Sequence, residues 1–294
     1  MAHMRGICLS LVLLVFMSSS VHAQTDSLTH RKLNKLALYG GIGYGLTLFT
    51  LSQAWYADQG LGRFNFFNDN PQWKQVDKVG HFYTTYQFTN IGHALLTKTG
   101  LEDRKAALWS SIIGAGLLLP VEILDGFSPE FGFSYGDMIA NVAGSAFFLG
   151  QHHLWNEQRI KPKFSFHQTS LAPLRPAVLG DGLAEELLKD YNGQTYWFSF
   201  DMHAFTGKNR FPKWLNLALG YGAQNMVYAR DEENSGIGFN NFRQYYLGLD
   251  FDLSYIKTDK KWLKTLLFLL DGFRLPAPAF EINKNGSRFH LLYY

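Results

Sequence analysis

In its first half the chain runs as long apolar stretches separated by short polar connections, and in its second half it changes to strand-like alternation. A charge-free run from Leu36 to Ala57 follows a basic stretch containing Arg31, Lys32 and Lys35. A linker rich in Asn, Phe and Pro, Arg63 to Trp73, leads into a second helical segment from Asp77 to about Thr97. The charged connection Glu102-Asp103-Arg104-Lys105 opens a third segment, Ala106 to Leu124. A Gly- and Pro-containing loop, Gly126 to Gly136, separates it from a fourth, Asp137 to about Trp155. Apolar runs of this length with turn residues between them predict four helices packed as a bundle.

From Pro162 the pattern changes. A short helix near Leu183 to Lys189 precedes strand-type segments at Gln194–Asp201, Trp214–Ala229, Arg243–Ile256 and Arg288–Tyr294. Along the third of these, strict alternation puts Tyr246, Gly248, Asp250 and Asp252 on one face and Tyr245, Leu247, Leu249, Phe251 and Leu253 on the other, the mark of a half-buried antiparallel strand. Lys260 to Asp271 reads as an amphipathic helix. The fold expected is α+β: a four-helix apolar bundle over residues 30–160, then a small antiparallel β region with one or two helices over 161–294. About five strands fall short of the eight that a closed bacterial barrel usually needs, although a chain ending in aromatics resembles one.

Ahead of both regions the sequence predicts a signal peptide over residues 1–23. Arg5 supplies the positive start, Leu9 to Phe16 the apolar core, and Val21-His22-Ala23 a cleavage site of small-x-small type. The single cysteine, Cys8, falls ahead of the apolar core, so it is no lipidation site, and the mature chain is expected to lack disulfides and thiolate ligands. Cleavage would also put both ends of a spanning four-helix bundle outside the cytoplasm. The flanks and middle loop, with Arg31, Lys32, Lys35, Lys98, Arg104, Lys105, Arg159, Lys161 and Lys163, then outweigh Arg63, Lys74 and Lys78 in the two inner loops. That reverses the charge rule of inner-membrane proteins and favours the periplasm or the outer membrane.

Composition refines this picture. Aromatic residues make up 16% of the chain, with 25 Phe and 15 Tyr, which suits membrane interfaces and β-rich surfaces. A mean hydropathy of −0.11 limits any membrane part to a minority of the chain. The net charge of +3 is dispersed rather than gathered in a stripe, which excludes nucleic acid as the expected partner.

The residues with chemical potential lie near helix ends. Asp77 and His81 are four apart, Glu122 and Asp125 three apart, and Asp137 and Asn141 four apart, each pair on one face of its helix. Carboxylates among apolar neighbours are costly unless paired, so these six groups are expected to share a polar cluster. If the protein is an enzyme, His81 would be the base, Asp77 would orient it, and Glu122 would act as acid or metal ligand. Equally, Asp77 would cap its helix and the cluster would fix helix register. Gly132-Phe133-Ser134-Tyr135-Gly136 matches a nucleophile elbow in form, but with no strand expected before it, Ser134 reads as a helix cap facing Asp137. Gly40, Gly41, Gly43 and Gly45 suggest close helix packing; His152-His153 with Glu157 could bind metal, but adjacent histidines point to different faces and favour a solvated helix end. No cofactor and no particular metal can be named from these residues.

The segments Asp77-Lys78-Val79-Gly80-His81-Phe82, Glu122-Ile123-Leu124-Asp125-Gly126-Phe127-Ser128-Pro129 and Gly132-Phe133-Ser134-Tyr135-Gly136-Asp137-Met138-Ile139-Ala140-Asn141-Val142-Ala143-Gly144 together resemble the YfiM-type predicted periplasmic lipoproteins, in the longer form found in Bacteroidetes-type bacteria. A fainter similarity links them to VanZ-like membrane proteins. The resemblance spans residues 70 to 155 and implies an envelope location, but no reaction. The expected role is an exported, membrane- or lipid-associated protein with a structural or binding function, its β region docking another envelope protein. The alternatives are a His/carboxylate hydrolase or transferase acting on a lipid-linked envelope substrate, and a barrel-type outer-membrane protein.

Overall fold

The computed structural model describes residues 27–56, 62–129, 132–207 and 211–294. The expected signal peptide lies outside the described residues. The chain divides into two compact units: residues up to Asn68 together with Phe88–Gly150, and Asp69–Gln87 together with Gln151–Tyr294.

The first unit is helical. It contains α1 (Ser27–Tyr56), the C-terminal part of α2 (Val76–Thr99), α3 (Asp103–Gly116), α4 (Leu119–Phe127) and most of α5 (Tyr135–Trp155). The four helical segments are where the apolar runs predict them, with one difference. The third is broken at Leu117–Leu118, where Pro120, in the first turn of α4, has no N–H to offer a continuing helix. Nor do the four segments make one self-contained bundle, because the division into units falls inside α2 and α5. Residues Asp103–Phe127 are long and apolar enough to cross a membrane, and 39% of their most apolar window is buried.

Helix contacts within this unit run through small and hydroxyl residues. Thr89 Oγ1 lies 2.9 Å from Ser145 Oγ, a Cβ added at Gly114 would collide with Thr89, and one added at Gly92 would press on Ser110 at 3.3 Å. The expected close packing is not found at Gly40, Gly43 or Gly45 of α1 among the described residues. Around Gly40, Gly43 and Gly45 no described atom lies within 4 Å of an added Cβ. Small residues permit close approach but do not compel it.

The second unit is an antiparallel meander of six strands: β3 (Ile160–Phe166), β4 (Gln194–Phe200), β5 (Leu215–Gln224), β6 (Phe242–Phe251), β7 (Ala277–Asn283) and β8 (Gly286–Tyr293). Two of these, β3 and β7, escape a reading of the sequence. Pro162 argues against a strand, but β3 is an edge strand of the meander, where a missing N–H is tolerated. The edge is closed in part by Phe164, whose N–H donates to Gly272 O at 3.0 Å and whose carbonyl accepts from Arg274 N at 2.9 Å. Helices α6 (Leu183–Lys189), α7 (Asp231–Gly236) and α8 (Lys261–Leu270) lie between the strands, beside two shorter helical turns at Pro176–Leu179 and Met202–Thr206.

The alternation on β6 is present, in the reverse of its usual sense. Gln244, Tyr246 and Asp250 are buried, while Tyr245, Leu247 and Leu249 are exposed. The same inversion runs across β5, β7 and β8, where Leu217, Leu219, Phe280, Ile282, Phe289 and Leu291 face outward. Over β3 and β4 the outer face is covered. Phe164 and Tyr196 pack with Val76, Ala223 and Met226, and Phe82 of α2 sits edge-on to Phe198 with ring centroids 5.6 Å apart.

Candidate functional site

Asp77, Lys78 and His81 open α2 in the sheet-bearing unit. The turn before them is strained, since Trp73, Lys74 and Gln75 all take left-handed φ values of 47°, 51° and 63°. Each such residue costs about 1–2 kcal/mol, and three in succession need external support. That support comes from the sheet. The Tyr221 hydroxyl donates to the Lys74 carbonyl, Lys74 pairs with Asp231, Arg243 Nη2 donates to Gln75 Oε1 at 2.6 Å, and Trp73 N–H donates to Ala229 O at 2.8 Å. The helix start is therefore positioned by distant strands and loops.

Asp77 is held tightly. Its Oδ1 accepts from the Tyr191 hydroxyl at 2.7 Å and its Oδ2 from Lys78 Nζ at 2.8 Å, while Lys78 also reaches Asp69 at 2.6 Å. Burial works to raise the Asp77 pKa, but His81, Lys78 and the hydrogen bonds from Lys78 and Tyr191 outweigh it and hold the carboxyl below its ordinary value. His81 Nε2 stands 3.7 Å from Asp77 Oδ1, beyond hydrogen-bond range. The pair is electrostatic in this geometry and does not fix an imidazole tautomer. Gly80 lies under Tyr196, whose hydroxyl oxygen would be 2.7 Å from an added Cβ.

Glu122, Asp125, Asp137 and Asn141 belong to the other, helical unit. Glu122, Asp137 and Asn141 are buried, Asn141 completely, and Asp125 is half-buried. The loop carrying the second and third motifs is pinned by Asn65. Its N–H donates to Gly126 O at 2.8 Å, its carbonyl accepts from Phe133 N at 3.0 Å, and β1 (Phe66–Phe67) pairs in parallel with β2 (Phe133–Ser134). Gly126 and Gly132 are needed there because Phe64 and Phe67 press on their α-carbons. Around the loop Phe64, Phe66, Phe127, Phe133 and Tyr135 form a ring cluster, with Phe66 stacked on Tyr135 at 5.0 Å. Phe66 and Tyr135 are exposed.

Ser134 immediately precedes α5, and its hydroxyl accepts from Asp137 N–H at 3.1 Å. The sequence offered no strand ahead of it, yet the two-residue β2 is there. Even so, the Ser134 side chain is buried and committed to the helix end, which is not the posture of an exposed nucleophile. His152 is also buried, contrary to the solvated helix end expected, while His153 is exposed.

Reading the sequence missed a third group of residues, the charges inside the sheet. Lys163, fully buried, lies 2.7 Å from Asp250 Oδ2 and 3.2 Å from Asp271 Oδ1, and donates to Phe251 O at 2.9 Å. Lys161 bridges Asp252 at 2.9 Å and Asp271 at 2.8 Å. Arg274 lies over the Trp197 ring at 4.0 Å and donates to Tyr293 O and Leu249 O. The available signal was the placement of Asp250 and Asp252 on one face of an otherwise apolar strand.

Residues 65–150 match the model of a family described as Predicted periplasmic lipoprotein (DUF2279). The matched stretch holds every motif from Asp77 to Asn141. No curated protein matches the chain, and no solved structure does.

Proposed function

We propose, on the premise that residues 65–150 match a predicted periplasmic lipoprotein family, that the protein is an exported envelope component seated in lipid through its apolar sheet face, with a structural or binding role. The observation that carries this reading is the inverted sheet. In water, a sheet buries its apolar face and shows its polar one; here charges and amides are inside, and Leu217, Leu219, Leu247, Leu249, Phe280 and Ile282 are outside. Acyl chains are the solvent in which that arrangement is favourable. The apolar stretch of α3 and α4 and the exposed Phe66–Tyr135 stack support the same reading.

The experiment is co-flotation of the full chain with phospholipid vesicles in a density gradient. The parent floats, and Leu219→Arg/Leu247→Arg does not, because an arginine on a lipid-facing strand costs up to about 2–4 kcal/mol. A parent protein that stays at the bottom, or a double variant that floats as well as the parent, defeats the proposal.

The barrel-type outer-membrane reading gains one specific support. Charged groups fill the inside of the sheet, and the β3 edge is hydrogen-bonded to residues 272–274, as lipid requires of a sheet edge. It predicts faster migration of unheated than of boiled protein on denaturing gels. The hydrolase reading draws on the same residues at the start of α2. Asp77 is occupied by Tyr191 and Lys78 and stands too far from His81 to orient it, so we assign this group to clasping the start of α2.

A further inference from the structure

We propose that the polar end of the sheet interior is a binding site for a neutral saccharide of about two rings. A cavity of about 760 Å³ opens there, within the size range of small-molecule sites, roughly 300–1,000 Å³. It lies entirely within the sheet-bearing unit, between strands β5 to β8 and the chain after β3.

Glu281 is part of the cavity lining. Its Oε1 accepts from Gln244 Nε2 at 2.7 Å and Asn283 Nδ2 at 2.6 Å, and its Oε2 lies 2.7 Å from His290 Nε2. Three donors fix the carboxylate before any ligand arrives, so a ligand pays little to orient it. Arg288, paired in register with Glu281 on the neighbouring strand, is exposed and brings a positive charge into the same lining. The lining thus carries no excess of one sign, which disfavours phosphate, carboxylate or polyamine ligands.

The remaining chemistry is mixed in a way that matches sugar rings. Each sugar hydroxyl both donates and accepts, so its site needs planar groups of both kinds side by side. Amides, a carboxylate, a guanidinium and imidazoles provide them here. The C–H faces of a pyranose are apolar and pack on aromatic rings, and the exposed Tyr294 supplies such a wall, backed by the buried rings of Tyr246 and Tyr293. Those two rings are themselves locked, with the Tyr293 hydroxyl donating to Tyr246 Oη at 2.9 Å and lying 2.8 Å from Thr195 Oγ1. A preformed polar floor with ring walls is unusual for a sheet interior whose only task is to fill space.

The test is saturation-transfer NMR with the full chain in a detergent that has no sugar headgroup. N,N′-diacetylchitobiose represents an amino-sugar glycan and maltose a plain glucan, with inorganic phosphate as the anionic control. We expect ring protons of at least one disaccharide to receive saturation, and the preferred one to identify the source. Arg288→Ala, at an exposed position where folding is spared, weakens that binding at least tenfold, as does Glu281→Gln. No transfer to either disaccharide overturns the proposal. So does unchanged affinity in Arg288→Ala, or displacement of the sugar by millimolar phosphate. The readout is independent of vesicle flotation, so failure of the site and failure of the lipid reading are separately visible.

Discussion

Removing the charge of Lys163 tests the inverted sheet most directly. In Lys163→Met the stem volume is nearly kept, but Asp250 loses the cation 2.7 Å away and retains the Ser199 hydroxyl, at 2.7 Å, as a donor. Asp250 is completely inaccessible to solvent, so no water replaces the lost partner. Asp271 suffers less, since Lys161 at 2.8 Å and Leu253 N–H at 3.0 Å remain. Arg274 still acts electrostatically on Asp250, so the expected loss is at the low end for a buried carboxylate deprived of its partner, about 3 kcal/mol, a large share of the roughly 5–15 kcal/mol a domain possesses. Urea denaturation followed by tryptophan fluorescence measures it, with Trp197 directly across from Lys163 in register. At typical slopes the midpoint falls by about 1–3 M. Adding Asp250→Asn removes the stranded charge and restores about half of the loss or more. A single variant within about 1 kcal/mol of the parent refutes the reasoning. So does a double variant whose loss equals the sum of the two single ones, because either result means the charges are not coupled inside a dry sheet.

Gly80→Ala should gain about 1 kcal/mol from helix propensity alone, but the Tyr196 hydroxyl over that α-carbon turns it into a loss of about 1–3 kcal/mol, and thermal melting reads the sign. Ser134→Ala removes the acceptor for Asp137 N–H and costs about 1 kcal/mol in the same melts, whereas Ser134→Asn, which can still cap, costs little. The pH dependence has a definite sign. Burial works to raise the Asp271 pKa, but Lys161 and Lys163 outweigh it and hold it below its ordinary 3.8, as Asp77 is held below its own. Groups with depressed folded values stabilise above their unfolded pKa and lose that contribution as pH falls through the folded one. Burial depresses His167 below its ordinary 6.5, so protonation costs stability there too, and the urea midpoint should decline from about pH 6.5 and steepen below about pH 4. A midpoint unchanged between pH 7 and pH 3 contradicts this.

Much of the architecture is visible in local pattern. The apolar runs set where the helices lie and strict alternation marks β6, because helix and strand periods are properties of short segments. The motifs that match the family are likewise contiguous in sequence, so Asp77, His81, Glu122, Asp125, Asp137 and Asn141 could be named in advance. Alternation, however, carries no sign. It shows that Asp250 and Leu249 face opposite ways but not which of them faces in, since that depends on what the sheet packs against.

The same limit hid β3 and the role of Lys163. A lysine beside a proline reads as a loop until Asp250 and Asp271, some ninety and more positions later, are folded against it. The support of the left-handed Trp73–Gln75 turn by Tyr221, Asp231 and Arg243 is similarly non-local. Sequence alone therefore determined where the helical segments and four of the six meander strands lie, the motif residues and the two-faced pattern of β6. Tertiary structure decided which face is inside and which carboxylate meets which cation, because solvation and Coulomb energy depend on distance in space and not along the chain.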